Sequence, residues 1–324
     1  MKLRAVGFCG VDESVDPSLL ALISLRYPAI EWGVLFRPDK AGEPRYPGAA
    51  WVDRLASHAA ASAGGMALAG HLCGERAVEV IRNQSAFVER LEAKGFARVQ
   101  LNPTAVNGVC LRAIGLDVDQ AASGICACID ATPALEWILQ YNDETRELCE
   151  AVLATLRRAG DPVRPASVLF DASCGTGVAA ASYAPPLRDV PTGYAGGLGP
   201  ANLGARARGR GGDARGAASR PAHLRSAARA RAPVSPRRAG SVLAALRDGV
   251  ARDASIWVDM ESRLRANLDG VDVFDVNKAW ACAAIAREMG LIEAALISEQ
   301  ADEAPAGRPA GSPEGGAAKR RRGD

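Results

Sequence analysis

Short runs of apolar residues alternate along the chain with longer segments in which apolar residues recur at helical spacing. Eight of the short runs are candidate strands, beginning at Leu3 (LRAVGFCG), Ile30 (IEWGVLF), Met66 (MALAGHLC), Arg98 (RVQLN), Trp137 (WILQYN), Ser167 (SVLFDAS), Gly193 (GYAGG) and Ser255 (SIWVDME). Strands that alternate with helices are typical of βα units around a parallel sheet. The pattern predicts an α/β protein of the (β/α)8 TIM-barrel class, with a doubly wound sheet as the alternative.

The helical segments fill most of the gaps between these strands. Asp16 and Pro17 open the first helix with a cap residue and a first-turn proline. Further helices are predicted over Ala77–Lys94, over Asp143–Arg158 after the fifth strand, and over Val276–Ile297 after the eighth. The chain is therefore expected to form one barrel domain over residues 1–298.

Two regions depart from this plan in composition. Gly204–Gly240 is rich in Arg, Ala, Gly and Pro and has almost no large apolar residues, so a disordered insertion is predicted between the seventh and eighth strands. The tail over residues 299–324 is also predicted to be disordered. Its KRRR run, Lys319–Arg322, reads as a solvated charge run rather than a nuclear signal.

The charge is spread unevenly along the 324 residues. There are 39 basic and 37 acidic side chains, but Gly204–Arg238 holds ten arginines and one acid, so the remainder has 29 basic and 36 acidic residues and a formal charge of −7. A mildly acidic body does not favour a nucleic-acid partner. With 48% hydrophobic residues, the chain can bury a sizeable core.

The cysteines, the histidines and the apolar runs indicate which cofactors and which cell compartment to expect. Eight cysteines occur with three histidines and no pair of CxxC motifs, which favours neither a zinc module nor a disulfide framework. No metal and no cofactor are predicted. The first strand begins at Leu3, and no apolar run reaches the ~18 residues of a membrane span. We expect a cytoplasmic monomer or homodimer with reduced thiols and no membrane partner.

Nearly every predicted strand ends in polar or small residues. In an eight-fold barrel these ends converge on one site, although any parallel sheet also ends its strands in polar loops. The residues concerned are Cys9, Arg37, His71, Cys73, Asn102, Gln140, Asn142, Asp171, Gly196, Gly197, Asp259 and Glu261.

Four of these strand ends carry a family resemblance. VGFCGV at Val6, LFRPDKAGEPRY at Leu35, VLFDASCGTG at Val168 and AGGLGPANL at Ala195 occur in the order found in phosphoribosylanthranilate isomerases. In the same order, the four stretches resemble that family's K-I-C-G-I opening, its F-x-P-x-S-x-R-Y loop after strand two, its L-L-D strand with a glycine loop, and its S-G-G-L-x-P-x-N-V segment at strand seven. The resemblance implies a TIM barrel that acts on a small phosphorylated substrate in tryptophan biosynthesis.

The implied reaction is an Amadori rearrangement, in which the ribosyl ring opens to an aminoaldose that tautomerises to an aminoketose. It needs a general acid for the ring oxygen and a general base for the C2 proton. By resemblance Cys9 is the base and Asp171 the acid, and we expect a lowered thiol pKa and a raised carboxyl pKa. The alternative for Cys9 is a buried small apolar residue.

The resemblance also implies residues that bind the substrate. Arg45 matches the loop arginine that faces the substrate carboxylate, and a solvated loop arginine is the competing interpretation. Glycine amides and a helix N-terminus favour a phosphate at the seventh and eighth loops. The predicted substrate-binding set is Arg45, His71, Gln100, Asn102, Gly175 and Gly177, and the predicted phosphate-binding set is Gly196, Gly197, Asp259, Ser262 and Arg263.

Two departures from the family leave alternatives open. The eighth strand continues as VDMESRLR, where Glu261 and Arg263 replace a serine and a glycine, and a carboxylate aimed at a phosphate would be repulsive. The fourth strand ends in QLN rather than Q-L-H-G. A barrel with another phosphosugar or acidic substrate, or an inactive binding protein, therefore remains an alternative.

A class I methyltransferase is a further alternative, because DASCGTG after an apolar run resembles its cofactor loop. That fold needs a helix after the glycines and a next strand that ends in an acid. Pro185 and Pro186 interrupt the helix, and GYAGG carries no acid, so the barrel is favoured.

Overall fold

Eight parallel strands close into a barrel in chain order in the computed structural model, which describes residues 2–62, 65–158, 166–171, 173, 184–187, 189–204, 243 and 256–295. The strands are β1 Leu3–Cys9, β2 Ile30–Phe36, β3 Ala67–Leu72, β4 Arg98–Leu101, β5 Glu136–Tyr141, β6 Ala166–Asp171, β7 Thr192–Ala195 and β8 Ile256–Met260. Val6 of β1 is paired with Ile30 of β2 and with Val258 of β8, which closes the ring. The predicted TIM barrel is confirmed, and the open doubly wound sheet and the methyltransferase fold are wrong.

Helices occupy the crossovers between successive strands from β1 to β6, and one more follows β8, in the part of the chain that the structure describes. They are α1 Pro17–Arg26, α2 Ala49–Ala61, α3 Glu75–Ile81, α4 Ala86–Ala93, α5 Leu111–Ile114, α6 Val118–Ala131, α7 Arg146–Arg158 and α8 Val276–Glu288. Asp16 caps α1 as predicted, since its carboxylate accepts a hydrogen bond from the Ser18 amide at 2.8 Å.

The prediction of one helix over Ala77–Lys94 is wrong, because α3 and α4 are separate. Asn83 has a φ of 60°, in the left-handed region that cannot continue a right-handed helix. Helix α6 packs at this break, where a Cβ on Gly124 would lie 2.2 Å from the Ile81 carbonyl oxygen. The break therefore coincides with a tertiary contact, which periodicity does not report.

The last helix is shorter than predicted. Helix α8 ends at Glu288, and Gly290, with a φ of 68°, turns the chain away from it. The turn places Leu291 against β1, where its carbonyl accepts from the Leu3 amide at 2.9 Å. The predicted extension to Ile297 is wrong over the described residues, because the segment after α8 closes the end of the barrel instead.

A short hairpin after β8 was not predicted. Its strands, β9 Arg265–Leu268 and β10 Val271–Phe274, pair antiparallel through an Asp269–Gly270 turn in which both residues have positive φ. An Asp-Gly pair between two apolar runs is a strong hairpin signal. The hairpin was therefore predictable from the Asp269–Gly270 pair, whereas the family resemblance implies a phosphate loop at this position.

Most of the predicted insertion lies outside the described residues, as does the predicted tail over residues 299–324. The residues that flank the stretch 205–242 are close together. The Leu243 amide donates to the Leu203 carbonyl at 3.1 Å, and Gly204 contacts Ile285 of α8. Leu203 and Leu243, on either side of the stretch 205–242, are therefore neighbours in the structure.

Charged residues fill the amino-terminal end of the barrel interior. Arg98 donates two hydrogen bonds to Glu31, at 2.6 and 2.5 Å, and both residues are buried. The guanidinium carbon of Arg98 lies 4.6 Å from the centroid of the Trp257 ring, and that of Arg4 lies 4.9 Å from it. Trp257 packs in turn in a small apolar cluster with Ile138 and its neighbours.

A Gly193→Ala substitution is expected to destabilise the barrel by about 1–3 kcal/mol, the usual range for overpacking. A Cβ at Gly193 would lie 2.2 Å from Cε2 of the buried Trp257, whose ring cannot move without displacing the interior. Urea denaturation followed by circular dichroism measures the change. Gly48→Ala is the control, since its Cβ would meet the flexible Glu13 carboxylate at 3.3 Å. Equal stability of both variants would contradict the prediction.

Each cysteine that the structure describes is a free thiol. Among the described residues, every helix is too short or too polar to cross a membrane.

Candidate active site

A polar cavity opens at the carboxyl ends of the barrel strands and has a volume of about 230 Å³. We call it the mouth cavity. Its wall is built by inward-facing residues of all eight strands or the loops that follow them, among them Cys9, Leu35, His71, Gln100, Gln140, Asp171, Ala195 and Asp259. Side chains alternate between the two faces of a strand, so residues at i and i+2, such as Asp259 and Glu261, face the same cavity.

The barrel brings most of the predicted site residues together. Those that line the mouth cavity are Cys9, Arg45, His71, Gln100, Asn102, Asp171, Gly196, Gly197, Asp259 and Ser262. Arg263 does not line it, because its Cβ lies against Gly199 of the loop after β7 and its side chain is exposed. Gly175 and Gly177 lie outside the described residues, so their predicted role stays a prediction.

Cys9 and His71 are in direct contact at the base of the cavity. The Cys9 Sγ lies 3.2 Å from the His71 Nδ1, and both residues are buried. Burial and the positive charge of Arg98 lower the pKa of His71 to about 3. The imidazole is therefore neutral at physiological pH, so it can accept a hydrogen bond or bind a metal ion.

The expectation of a lowered thiol pKa at Cys9 is wrong. Burial, followed by the negative charges of Asp259 and Glu261, raises the pKa of the Cys9 thiol well above its ordinary value. A thiol is acidified by nearby cations, whereas the neighbours of Cys9 are carboxyl groups and a neutral imidazole. At neutral pH Cys9 is therefore a protonated thiol in the free protein.

The pKa of the Asp259 carboxyl group is also raised. Burial raises its pKa to about 8, aided by the charges of Glu31, Glu261 and Asp171, while Arg98 acts in the opposite direction. The role predicted for Asp259 is phosphate binding, and a raised carboxyl pKa was not predicted for it. The signal was present in the sequence, because a second carboxylate two residues later faces the same side of the strand.

Hydrogen bonds from Gln140 and Ser173 orient the Asp171 carboxyl group. It accepts hydrogen bonds from Gln140 Nε2 at 2.9 Å, from the Ser173 amide at 3.0 Å and from Ser173 Oγ at 2.6 Å. Strand β6 ends at Asp171, so the carboxyl group is held at the rim of a rigid element. Gln140 and Ser173 are site residues that the predicted set omitted, although Gln140 was recognised as a polar strand end.

Arg45 is held by two carboxylates at the cavity rim. Its Nη1 donates to Glu261 at 3.0 Å and its Nε donates to Asp272 of the hairpin at 2.8 Å. Arg265 also donates to Asp272, and it donates to Asp12 at 2.8 Å. This network joins the loops after β1, β2 and β8. Glu261 thus stays in the cavity, with its charge offset by Arg45.

The loop after β7, to which the sequence assigns a phosphate, turns sharply at two glycines. Gly196 and Gly197 have φ values of 101° and 60°, in the left-handed region that favours glycine. The Asn202 side chain pins the loop, since it accepts from the Gly199 amide and donates to the Gly197 carbonyl, each at 2.9 Å. A Cβ on Gly196 would lie 3.3 Å from Asp171 Oδ1, so the loop borders the predicted acid.

Two further cations line the cavity near the loop after β2. Arg37 is ion-paired with Asp39 at 3.1 Å, and the Lys40 ammonium lies 5.6 Å from the centroid of the Tyr46 ring. Neither was in the predicted substrate-binding set, although Arg37 was recognised as the end of its strand. Arg37 and Lys40 therefore offer positive charge to an anionic ligand even while Arg45 is paired with Glu261.

Comparisons with known proteins identify no family for the chain. No family model and no curated protein matches it. Among solved structures it is similar to the GH53 catalytic domain of Ignisphaera aggregans, with 12% identity over 52% of this chain and 59% of that chain, and a TM-score of 0.29. The chain thus covers less than two thirds of that domain. The barrel assignment itself rests on the strand order and closure described above.

Proposed function

We propose that the protein is an aldose–ketose isomerase that performs an Amadori rearrangement of a phosphorylated ribosylamine, as phosphoribosylanthranilate isomerases do. One observation carries the proposal: Cys9 at the end of β1 and Asp171 at the end of β6 line the same polar cavity, beside the glycine loop after β7. These are the positions that the family resemblance assigns to the base, the acid and the phosphate.

The chemistry requires two proton transfers. Asp171 would donate a proton to the ring oxygen as the C1–O bond breaks, which leaves an iminium at C1. Cys9 would then remove the C2 proton, and the resulting enolamine would tautomerise to the 1-amino-1-deoxyketose. Each positioned acid or base contributes about 10²- to 10⁴-fold to such a reaction.

His71 supports the assignment of Cys9 as a base. Its neutral Nδ1 lies 3.2 Å from the thiol and can accept a hydrogen bond from it, which would orient the sulfur towards the substrate. Burial makes the thiolate costly, so it is expected to be a minor species before the substrate binds. The base is therefore Cys9, and His71 is the residue that positions it.

The anionic groups of the substrate would be bound at two places. The phosphate would lie on the amides of Gly196 and Gly197, where the backbone is open to a close approach. A substrate carboxylate would have to compete with Glu261 for Arg45, or else pair with Lys40 or Arg37. Arg45 is therefore not an unpaired arginine available to the substrate, because Glu261 already binds it.

The ion pair between Arg45 and Glu261 favours a second candidate function. If that pair stays intact, the arginine cannot take a substrate carboxylate, and the substrate is another phosphosugar or acidic metabolite. The proton-transfer residues would be the same, and only the group attached to the ribosyl carbon would differ.

The decisive assay supplies phosphoribosylanthranilate, formed in place from anthranilate and the activated ribose phosphate, and follows its fluorescence. We expect turnover by the full chain in chelator-treated buffer and growth of a tryptophan auxotroph that lacks the isomerase. Cys73→Ser is the matched control, because Cys73 is buried beside Cys9 but does not line the cavity. Absence of turnover in the full chain and in a chain without Gly204–Gly240 would reject this substrate in favour of the second candidate.

A further inference from the structure

Three side chains with metal-binding atoms meet at the base of the mouth cavity. The Cys9 Sγ, a His71 ring nitrogen and an Asp259 carboxylate oxygen all lie within 4.8 Å of one another. Cys9 and His71 are already 3.2 Å apart, close to the separation of two donors around a small tetrahedral ion. We call these three residues the Cys–His–Asp cluster.

Two strand glycines provide the space for this cluster. A Cβ on Gly7 would lie 2.3 Å from Asp259 Oδ1, and a Cβ on Gly33 would lie 2.8 Å from His71 Nε2 and 2.9 Å from the Cys9 Cα. Any other residue at either position would collide with the cluster. The side chains therefore occupy room that the neighbouring strands leave open.

The barrel backbone holds the donors in place. Asp259 is in register with Gly7 across β8 and β1, and His71 is in register with Leu35 across β3 and β2. Donors on paired strands move little relative to one another, which lowers the cost of assembling a metal site. A cluster on mobile loops would lack this advantage.

We propose that the Cys–His–Asp cluster binds one Zn²⁺ ion through the Cys9 thiolate, the His71 imidazole and the Asp259 carboxylate. Sulfur, nitrogen and oxygen donors in this combination suit Zn²⁺, and Mg²⁺ and Ca²⁺ prefer oxygen alone. The Cys9 thiol and the Asp259 carboxyl group each release a proton to solvent as the ion binds, and the two anionic ligands then balance its charge. Three protein ligands leave a fourth position, which faces the mouth cavity.

A bound ion would change what the cavity can do. A thiolate that donates its electron pair to Zn²⁺ cannot also accept the C2 proton of a sugar amine. The proposed isomerase is therefore expected to be inactive while the ion is bound and active after the ion is removed. The metal site itself does not rest on the proposed function, because its binding can be measured without any substrate.

The test begins with full-length protein freed of metal by a chelator and kept reduced. Co²⁺ is the probe, because its thiolate complexes have a charge-transfer absorption that Zn²⁺ lacks. We expect one Co²⁺ per chain with this absorption, and its displacement by one equivalent of Zn²⁺. Cys9→Ser should abolish the absorption and weaken Zn²⁺ binding by at least ~100-fold, since changes to outer-shell partners alone cost 10- to 100-fold.

Cys73→Ser is the matched control, because it makes the same change in a neighbouring buried cysteine outside the cluster. It should keep the absorption. Asp259→Asn has the same shape as the native side chain and tests the oxygen ligand if Cys9→Ser fails to fold. It should keep the thiolate absorption and bind Zn²⁺ more weakly.

Three results would overturn the site: no stoichiometric Co²⁺ binding by the native chain, a Cys9→Ser protein that keeps the absorption, or an Asp259→Asn protein that binds Zn²⁺ as tightly as the native chain. If turnover is present, one equivalent of Zn²⁺ should abolish it and a chelator should restore it. Turnover that persists at saturating Zn²⁺ would overturn the expected inhibition by the bound ion. A metal-free protein that binds Zn²⁺ but has no turnover would reject the proposed function and leave the site intact.

Discussion

Asp171→Asn and Cys9→Ala are each expected to lower kcat/KM for the proposed isomerisation by roughly 10²- to 10⁴-fold. Asparagine keeps the shape of Asp171 and can still bond to Gln140, but it cannot donate a proton to the ring oxygen. Alanine removes the only group that Cys9 offers to the C2 proton. Steady-state kinetics in chelator-treated buffer measure both effects, and unfolding curves show whether the fold is retained.

The two variants should act as partners in one reaction. Because the acid and the base serve successive steps, the double variant is expected to lose less than the product of the single losses. Cys73→Ser should keep native kinetics. Native kcat/KM in either single variant would remove that residue from the mechanism, and native values in both would end the assignment of this cavity as an isomerase site.

Arg98→Met is expected to destabilise the protein by about 3–5 kcal/mol, since it breaks a buried ion pair and leaves one charge uncompensated. Both side chains of the Arg98–Glu31 pair are only 6% exposed, so water cannot take the place of the lost partner. Arg98 also packs over the Trp257 ring. For a domain with a stability of roughly 5–15 kcal/mol, this is a large fraction of the total.

Chemical denaturation measures this loss, and two further variants locate its cause. Lys94→Met breaks a more exposed pair with Asp53 and should cost at most about 1 kcal/mol. The double variant Arg98→Met with Glu31→Leu removes both charges and should recover much of the stability lost by Arg98→Met alone. If Arg98→Met is as stable as the native chain, the Arg98–Glu31 pair does not stabilise the barrel.

The strand pattern was predictable because each strand is a local feature. An apolar run bounded by turn residues, such as the run before Asp171, identifies itself within a few residues. Strand ends then identified Cys9, His71 and Asp259 as members of one rim, because parallel strands in a barrel share a direction. These inferences needed no knowledge of which side chains touch.

The errors in the prediction occur where distant segments meet. The break at Asn83 lies where Gly124 packs against Ile81, a contact between residues that are far apart in sequence. The expected acidity of the Cys9 thiol is wrong because its neighbours come from β3 and β8, and they are a neutral imidazole and carboxyl groups. Periodicity and motif spacing do not report the electrostatic environment of a buried group.

The sequence by itself determined the barrel, the order of its strands and the rim on which the polar residues lie, because these follow from local periodicity and from the common direction of parallel strands. Only the tertiary structure decided how those residues act on one another. It placed the Cys9 thiol against His71 and beside Asp259, and it tied Arg45 to Glu261. Such contacts depend on register and burial, since a shift of an ångström changes a charge's environment while the sequence pattern stays the same.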